Sequence, residues 1–258
     1  MMGLYLSYKR AKEKLSNIDK NPEPYILISY ASSSTKEDAY PRIACISLQF
    51  LVDGTRKQFS ISKYLYSSDT DIEAEKKLLK EFYQFVAEYR TGYFFIHWNM
   101  NSSKHGFVAI ENRYKVLFEV EPEVRLEELR KIDLDDIIED IYSKRYVDHP
   151  KMYNLYNLNN FDLKYFVKGS KEAELFEQKE WYQIESCSKS KVDFLDNVLN
   201  SLINRSLKTQ RRFGSSMATF WDKIQYYSKE TRYGKSIVWL LNILMGALLG
   251  ILFERLFR

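Results

Sequence analysis

The side chains best suited to catalysis or ligand binding lie in the segment 94–114, FFIHWNMNSSKHGFVAIENRY. An apolar run leads into His97 and Asn99, and the apolar segment that follows carries Arg113. An imidazole can transfer a proton or bind a metal, and a guanidinium group binds anions in a bidentate way. His97 has two interpretations, as a residue that binds a ligand or as a hydrogen-bonded residue that ends a strand. The candidate residues for binding a ligand or partner are His97, Trp98, Asn99 and Arg113.

Other patterns of catalytic or metal-binding residues are weaker. Ser32–Ser34 could form a hydrolase triad with His97, but no nucleophile-elbow pattern surrounds these serines. The acidic run Asp133–Asp140 could hold a cation, although acids in the first turns of a helix usually face solvent. Cys45 and Cys187 form no CxxC pair, which fits a reduced compartment and excludes a cysteine-based zinc site. We therefore expect neither a metal nor a cofactor.

The elements that position these residues follow from the spacing of apolar side chains. Residues 25–31 and 93–98 are short β-rich runs, and residues 42–65 predict two strands joined by a tight turn at Asp53-Gly54. Residues 71–90 predict a helix, capped by Ser68 or Asp69. Further helices are predicted over residues 106–117, 133–145, 150–159, Lys171–Trp181 and Lys191–Leu207, with a loop at Ser186–Ser190. This order indicates an α/β domain built on a mixed sheet.

The C-terminal residues 237–253, IVWLLNILMGALLGILF, contain no charged side chain. As a helix they would span about 26 Å, close to the ~30 Å hydrocarbon core of a bilayer. Lys235 and Arg255 could extend to the headgroups. We predict a transmembrane helix, and the alternative is a buried C-terminal helix. More basic residues flank this segment on its N-terminal side than on its C-terminal side, and basic flanks usually stay in the cytoplasm. We therefore expect a single-pass, tail-anchored protein of the inner membrane with its N-terminal domain in the cytoplasm.

The segment before it predicts an amphipathic helix at the membrane surface. Residues 204–235 carry eight basic residues against Asp222 and Glu230, whereas residues 1–203 carry 29 basic and 32 acidic residues. This helix could contact an anionic leaflet, or it could pack on the domain as its last element. The candidate membrane-surface residues are Arg211, Arg212, Phe220, Trp221, Lys223, Lys229, Arg232 and Lys235. Asn242, Gly246 and Gly250 share one helix face and predict self-association through it.

These segments predict three parts of the chain. Residues 1–205 form a cytosolic α/β domain, residues 206–235 a basic juxtamembrane helix and residues 236–258 the membrane anchor. Direct binding of nucleic acid is possible, but the net acidic charge of residues 1–203 does not support it.

The element order resembles the DEDD family of 3′–5′ exonucleases, which have the ribonuclease H-like fold. His97, Asn99 and Phe107 match the second motif of that family, with Trp98 inserted. The resemblance implies carboxylates that bind two divalent ions, which activate water and stabilise the leaving oxygen. The first motif has Ser29 and Ala31 in place of its acids. The remaining weak candidates for catalysis are Asp193, Asp196, Glu37 and Asp38.

The missing acids argue against catalysis and favour a degenerate domain. The architecture looks like that of membrane effectors of prokaryotic antiviral systems, one group of which accompanies short prokaryotic Argonautes. The first hypothesis is a tail-anchored effector whose cytosolic domain senses a signal or protein partner and then perturbs or depolarises the membrane. The alternatives are a membrane adaptor that holds a soluble partner, and a membrane-tethered, metal-dependent nuclease.

Overall fold

The computed structural model describes residues 4–33, 40–100 and 105–210, together with Ser236, Trp239, Leu240 and Ile243. The strands are β1 (Tyr25–Ser32), β2 (Ile43–Phe50), β3 (Arg56–Ser60), β4 (Phe94–His97) and β5 (Lys131–Asp133). The α-helices are α1 (Leu4–Lys20), α2 (Ile61–Tyr64), α3 (Asp71–Tyr89), α4 (Phe107–Phe118), α5 (Leu134–Tyr142), α6 (Lys151–Asn159), α7 (Gly169–Glu177) and α8 (Trp181–Ile203). Short 3₁₀ turns cover Leu65–Ser67 and Glu128–Arg130.

The five strands form one mixed sheet in the order β3-β2-β1-β4-β5. Strands β1, β2 and β3 pair antiparallel, whereas β4 pairs parallel with β1 and β5 pairs parallel with β4. The prediction of an α/β domain on a mixed sheet is therefore confirmed. The carboxyl ends of β1, β4 and β5 lie at the same edge of the sheet, since these three strands run in one direction.

Strand β1 is buried on both faces because helices cover both sides of the sheet. Ile26, Ile28 and Tyr30 lie in a cluster with residues of α3 and α4, whereas Tyr25 and Leu27 lie in a second cluster on the other face. This alternation is the period of two expected for a strand. The helix residues of the first cluster include Leu78, Phe82 and Ile110, and those of the second include Leu15, Ile138 and Phe194.

The predicted turn between β2 and β3 is confirmed at Asp53-Gly54. Gly54 has a φ of +71°, a left-handed conformation that glycine adopts without steric cost. The Asp53 carboxylate accepts a hydrogen bond from the backbone N–H of Thr55 at 2.8 Å. At the start of α3 the cap differs from the prediction, since the side chain of Thr70 accepts the hydrogen bond from Glu73 N–H.

Three parts of the fold differ from the sequence prediction. The sequence prediction contained neither α1 nor β5. The predicted loop at Ser186–Ser190 is wrong, because these residues lie inside the single 23-residue helix α8. Ser188 and Ser190 are buried there, and Ser47 of β2 donates a hydrogen bond to the Ser188 hydroxyl at 2.9 Å. Burial against the sheet thus outweighs the weak helix propensity of serine.

The described residues include no helix that is both long and apolar enough to cross a bilayer. The predicted juxtamembrane residues 211–235 fall outside the described residues. The predicted transmembrane segment 237–253 does so too, apart from Trp239, Leu240 and Ile243. The same holds for Asn242, Gly246 and Gly250, so self-association through them stays a prediction.

Candidate functional site

A cavity of about 810 Å³ opens where β1 and β4 end. In open α/β sheets, ligands commonly bind outside the carboxyl ends of the strands, and cavities of 300–1,000 Å³ hold small molecules. The walls come from the end of β1, residues 98–100 after β4, His105, Asp135, residues 149–153, the segment from Phe166 to Glu177 that contains α7, and Lys191 of α8. Seven separate parts of the chain therefore meet around one space.

His97 lies at the end of β4 and is fully buried. Its Nδ1 accepts a hydrogen bond from the backbone N–H of Met100 at 3.3 Å and lies 3.7 Å from an Asp133 carboxylate oxygen. Burial, followed by the positive charge of Lys131, lowers the pKa of His97 to about 3. The ring is therefore neutral at physiological pH and carries its proton on Nε2, which has no hydrogen-bond partner among the described residues.

Asp133 ends β5 beside His97 and caps the following helix. One of its oxygens accepts hydrogen bonds from the backbone N–H groups of Asn99 and Asp135, each at 3.0 Å. Burial raises the pKa of Asp133 to about 6, although the hydrogen bond from Asn99 acts in the opposite direction. His97 and Asp133 together hold the loop after β4 in place, and His97 does not line the cavity.

Trp98 and Asn99 both line the cavity. Trp98 is 8% exposed, and its ring packs edge-on against Phe194 of α8, with centroids 5.3 Å apart. Asn99 is exposed and has a φ of +49°, which directs the chain away from the strand. Of the four binding candidates, these two have side chains positioned to meet a ligand.

Arg113 lies away from the cavity, inside the packing of α3, α4 and β2. Its guanidinium group donates to both carboxylate oxygens of Glu75, each at 2.8 Å. Glu75 is fully buried and also accepts hydrogen bonds from Arg42 Nε and from the backbone N–H of Ile43. The geometry therefore gives Arg113 a structural contact in place of the ligand contact that the sequence predicted.

The carboxylates of Asp193 and Asp196 do not approach His97. Asp193 forms an ion pair with Arg56 of β3, and Asp196 accepts hydrogen bonds from Gln49 of β2 and from Asn200. Both carboxylates therefore lie at the β2–β3 side of the sheet, away from β4. Glu37 and Asp38 fall outside the described residues, as do all the predicted membrane-surface residues. Among the described residues, no three His, Cys, Asp or Glu side chains converge to hold a metal ion.

Tyr30 and His105 line one corner of the cavity, next to Gly106. The Tyr30 hydroxyl accepts a hydrogen bond from Gly106 N–H at 2.7 Å, so that its own proton can point to His105 Nδ1 at 2.9 Å. The two rings stack with centroids 5.0 Å apart. His105 keeps contact with solvent, but desolvation by this packing and then the charge of Lys191 lower its pKa. This corner is therefore uncharged at neutral pH.

Glu172 and Lys191, which also line the cavity, form an ion pair in which Lys191 pairs with one carboxylate oxygen of Glu172. Glu172 is only 5% exposed, and its other oxygen, Oε1, is buried without a hydrogen-bond partner among the described residues. On a charged helix, the default expectation for Glu172 is a pairing with a residue one turn away. The actual partner is 19 residues away, so no local signal could have identified it.

Lys151 supplies a second paired cation at the cavity. Its ammonium group lies 3.1 Å from both carboxylate oxygens of Asp135 and also pairs with Glu139. Burial pulls the pKa of Lys151 down, but the hydrogen bond to Glu139 and the charge of Asp135 outweigh it and raise the pKa. Lys151 and Lys191 are thus both paired with acidic side chains. Because these charges are already paired within the protein, the cavity can hold a polar, uncharged ligand by hydrogen bonds.

No protein-family model matches the chain, and a search of curated proteins found no match. Together with the absence of a membrane-spanning helix among the described residues, this overturns the identification of the chain as a degenerate DEDD exonuclease-like domain fused to a transmembrane anchor. The physical reason lies in the separation of the acids. Ser29 and Ala31 occupy β1, while Asp193 and Asp196 are engaged with β2 and β3. The wider likeness to antiviral membrane effectors depended on that identification and is withdrawn with it.

Proposed function

We propose that the described domain is a sensing and binding module whose ligand occupies the cavity between β1, β4 and α7. The construction of that cavity carries the proposal, since seven separate parts of the chain line it. Its lining combines the rings of Tyr30, Trp98, Tyr153 and Phe166 with a larger number of serine, histidine, acidic and lysine side chains. Polar groups in such a site fix the orientation of a bound small molecule. Lys191 belongs to α8, the helix that leads to the C-terminal residues, so a ligand held there acts on that helix directly.

At the level of fold alone, we propose that the mixed sheet is of the ribonuclease H-like type. The support is the order of its elements, in which β1 is followed by the β2–β3 hairpin, then α3, then β4 and α4. This proposal concerns chain topology and carries no catalytic role.

A substitution that fills the cavity tests the binding module. Ala173 of α7 is half-buried and lines the cavity, so Ala173→Trp would place an indole ring in the space of the ligand. The full chain is dialysed to equilibrium against a small-molecule extract of bacterial cells, and the compounds that it concentrates are identified by mass spectrometry. We expect at least one compound to be concentrated by the wild type and at least tenfold less by Ala173→Trp.

The matched control is Lys171→Trp, which adds the same ring to an exposed position of the same helix outside the cavity. This variant should concentrate the compound as the wild type does. The proposal is wrong if the wild type concentrates nothing, or if both tryptophan variants behave alike.

Action at a membrane is a further part of the proposal, supported by the amino-acid sequence of residues 204–258 alone. The basic residues before the uncharged run favour contact with an anionic inner leaflet. Cells that express the full chain should lose membrane potential relative to cells that express the chain without residues 206–258. Equal membrane potentials in the two kinds of cells would contradict the proposed action at a membrane. A protein partner and the adaptor and tethered-nuclease alternatives stay predictions. A place in antiviral defence is also untested, and it has lost the support of the withdrawn likeness.

A further inference from the structure

Residues 205–210 follow α8 and form a strap that is bound to the domain on the way to the C-terminal residues. The side chain of Asn159, at the end of α6, holds both polar groups of the Lys208 backbone. Asn159 Oδ1 accepts a hydrogen bond from Lys208 N–H at 2.8 Å, and Asn159 Nδ2 donates to the Lys208 carbonyl at 3.1 Å. Leu207 is buried in the second apolar cluster. The end of α6 is therefore attached to the strap.

The loop before α6 holds the last residue of the strap. Gln210 N–H donates to the Tyr146 carbonyl at 2.9 Å, and Gln210 Oε1 accepts a hydrogen bond from Asp148 N–H at 3.0 Å. Asn154 ties this loop to α6, since its side chain donates to the Asp148 carbonyl at 3.0 Å. Residues 146–159 therefore form one unit, the α6 unit, which is bound to the strap at both of its ends.

The α6 unit is also a wall of the cavity, because residues 149–153 line it. Asp135, which lines the cavity too, accepts a hydrogen bond from the Tyr146 hydroxyl and forms an ion pair with Lys151. Tyr146 thus contacts the cavity lining through its side chain and the strap through its carbonyl group. A movement of the α6 unit therefore changes the cavity and the contacts of the strap together.

The side-chain hydrogen bonds that hold the strap lie at the exposed surface. Exposed hydrogen bonds open locally at a lower free energy than those of the core, so the strap has a docked and a released state. A ligand that packs against residues 149–153 fixes the α6 unit in the conformation to which the docked strap binds. By linkage, each of the two contacts then favours the other to the same extent.

We propose that the strap couples the cavity to the C-terminal residues: an occupied cavity favours the docked strap, and release of the strap loosens the cavity wall. This regulation rests on the proposed binding function. It gives a ligand in the cavity a second route to residues 211–258, through the α6 unit, besides the route through α8.

NMR of the methionine methyl groups in the full chain tests the effect of the strap on the cavity. Met152 and Met100 both line the cavity, Met152 on the α6 unit and Met100 on the loop after β4. Gln210→Pro removes both hydrogen-bonding groups of Gln210 and changes no residue of the α6 unit. We expect it to shift or broaden the Met152 signal and to leave the Met100 signal in place. Gln210→Glu keeps the N–H and an acceptor oxygen, so both signals should match the wild type.

Trypsin cleavage after Lys208, followed by mass spectrometry, tests the effect of the cavity on the strap. Cleavage there requires the strap to leave the α6 unit, because both polar groups of the Lys208 backbone are bound to Asn159. Ala173→Trp fills the cavity with an indole ring and should slow this cleavage at least threefold. Lys171→Trp places the same ring outside the cavity and should leave the rate unchanged.

An unchanged Met152 signal in Gln210→Pro, or equal shifts of Met152 and Met100, overturns the coupling. Equal rates of cleavage after Lys208 in the two tryptophan variants overturn it as well. The dialysis experiment distinguishes this failure from failure of the binding function. If the wild type concentrates a compound that Ala173→Trp does not, while Met152 ignores the strap, the cavity ligand stands and the strap is a structural contact alone.

Discussion

Glu75→Ala is expected to lower the free energy of unfolding by about 3–5 kcal/mol, the cost of removing one partner from a buried ion pair. Glu75 is 0% exposed, and its two oxygens serve Arg113, Arg42 and the backbone N–H of Ile43. The substitution leaves the Arg113 charge buried without a carboxylate. It also leaves the N–H at the start of β2 without an acceptor.

Chemical denaturation of the full chain, followed by circular dichroism, measures this change. Glu88→Ala is the matched control, since Glu88 is exposed on the same helix α3, and its effect should stay within about 0.5 kcal/mol. The double variant Glu75→Met with Arg113→Met removes both charges and should recover part of the loss. A loss below about 1 kcal/mol for Glu75→Ala would show that this ion pair does not hold α3, α4 and β2 together.

Gly106→Ala is expected to cost about 3 kcal/mol or more, because the backbone leaves no room for a side chain. A Cβ at this position would lie 1.8 Å from the Met100 carbonyl oxygen and 2.3 Å from its carbon. Gly106 also has a φ of +131° and a ψ of −155°, a region that is essentially restricted to glycine. Since these obstacles are backbone atoms, relief requires a movement of the loop between β4 and α4.

The same loop shapes the cavity, because Gly106 N–H donates to Tyr30 and Phe107 N–H donates to the Met100 carbonyl. Thermal and chemical denaturation of Gly106→Ala should therefore show a large loss of stability. Gly92→Ala is the control, since no heavy atom lies within 4 Å of a Cβ built there. Its stability should change by less than about 1 kcal/mol. Equal effects of the two substitutions would contradict the geometry of the loop.

The local sequence predicts the elements whose signals are complete within a few residues. Strand β1 has a dense apolar run, the β2–β3 hairpin has Asp53-Gly54, and α3 has a periodic apolar face. Helix α1 carries a comparable signal, since its buried residues Ala11, Leu15 and Ile18 lie on one helix face, but the charged residues 12–14 between them obscure it. The three residues of β5 carry too little pattern, and their strand depends on pairing with β4.

The candidate site could be predicted in position but not in its chemistry. The sequence analysis placed Trp98 and Asn99 at the end of a strand, and both line the cavity. The interactions of Arg113 could not be read from the sequence, because its partner Glu75 is 38 residues away. The same applies to Glu172 of α7. Its pairing with Lys191 and its burial arise only when the fold brings α7 and α8 together.

We propose that this chain takes up a small ligand in the cavity beside β1, β4 and α7. Hydrogen–deuterium exchange of the full chain, with and without the compound that it concentrates in dialysis, tests that claim most directly. We expect slower exchange in peptides that cover residues 29–33 and 169–177, with little change in the β2–β3 turn. Protection confined to other parts of the chain, or no protection at all with the compound bound, would contradict it.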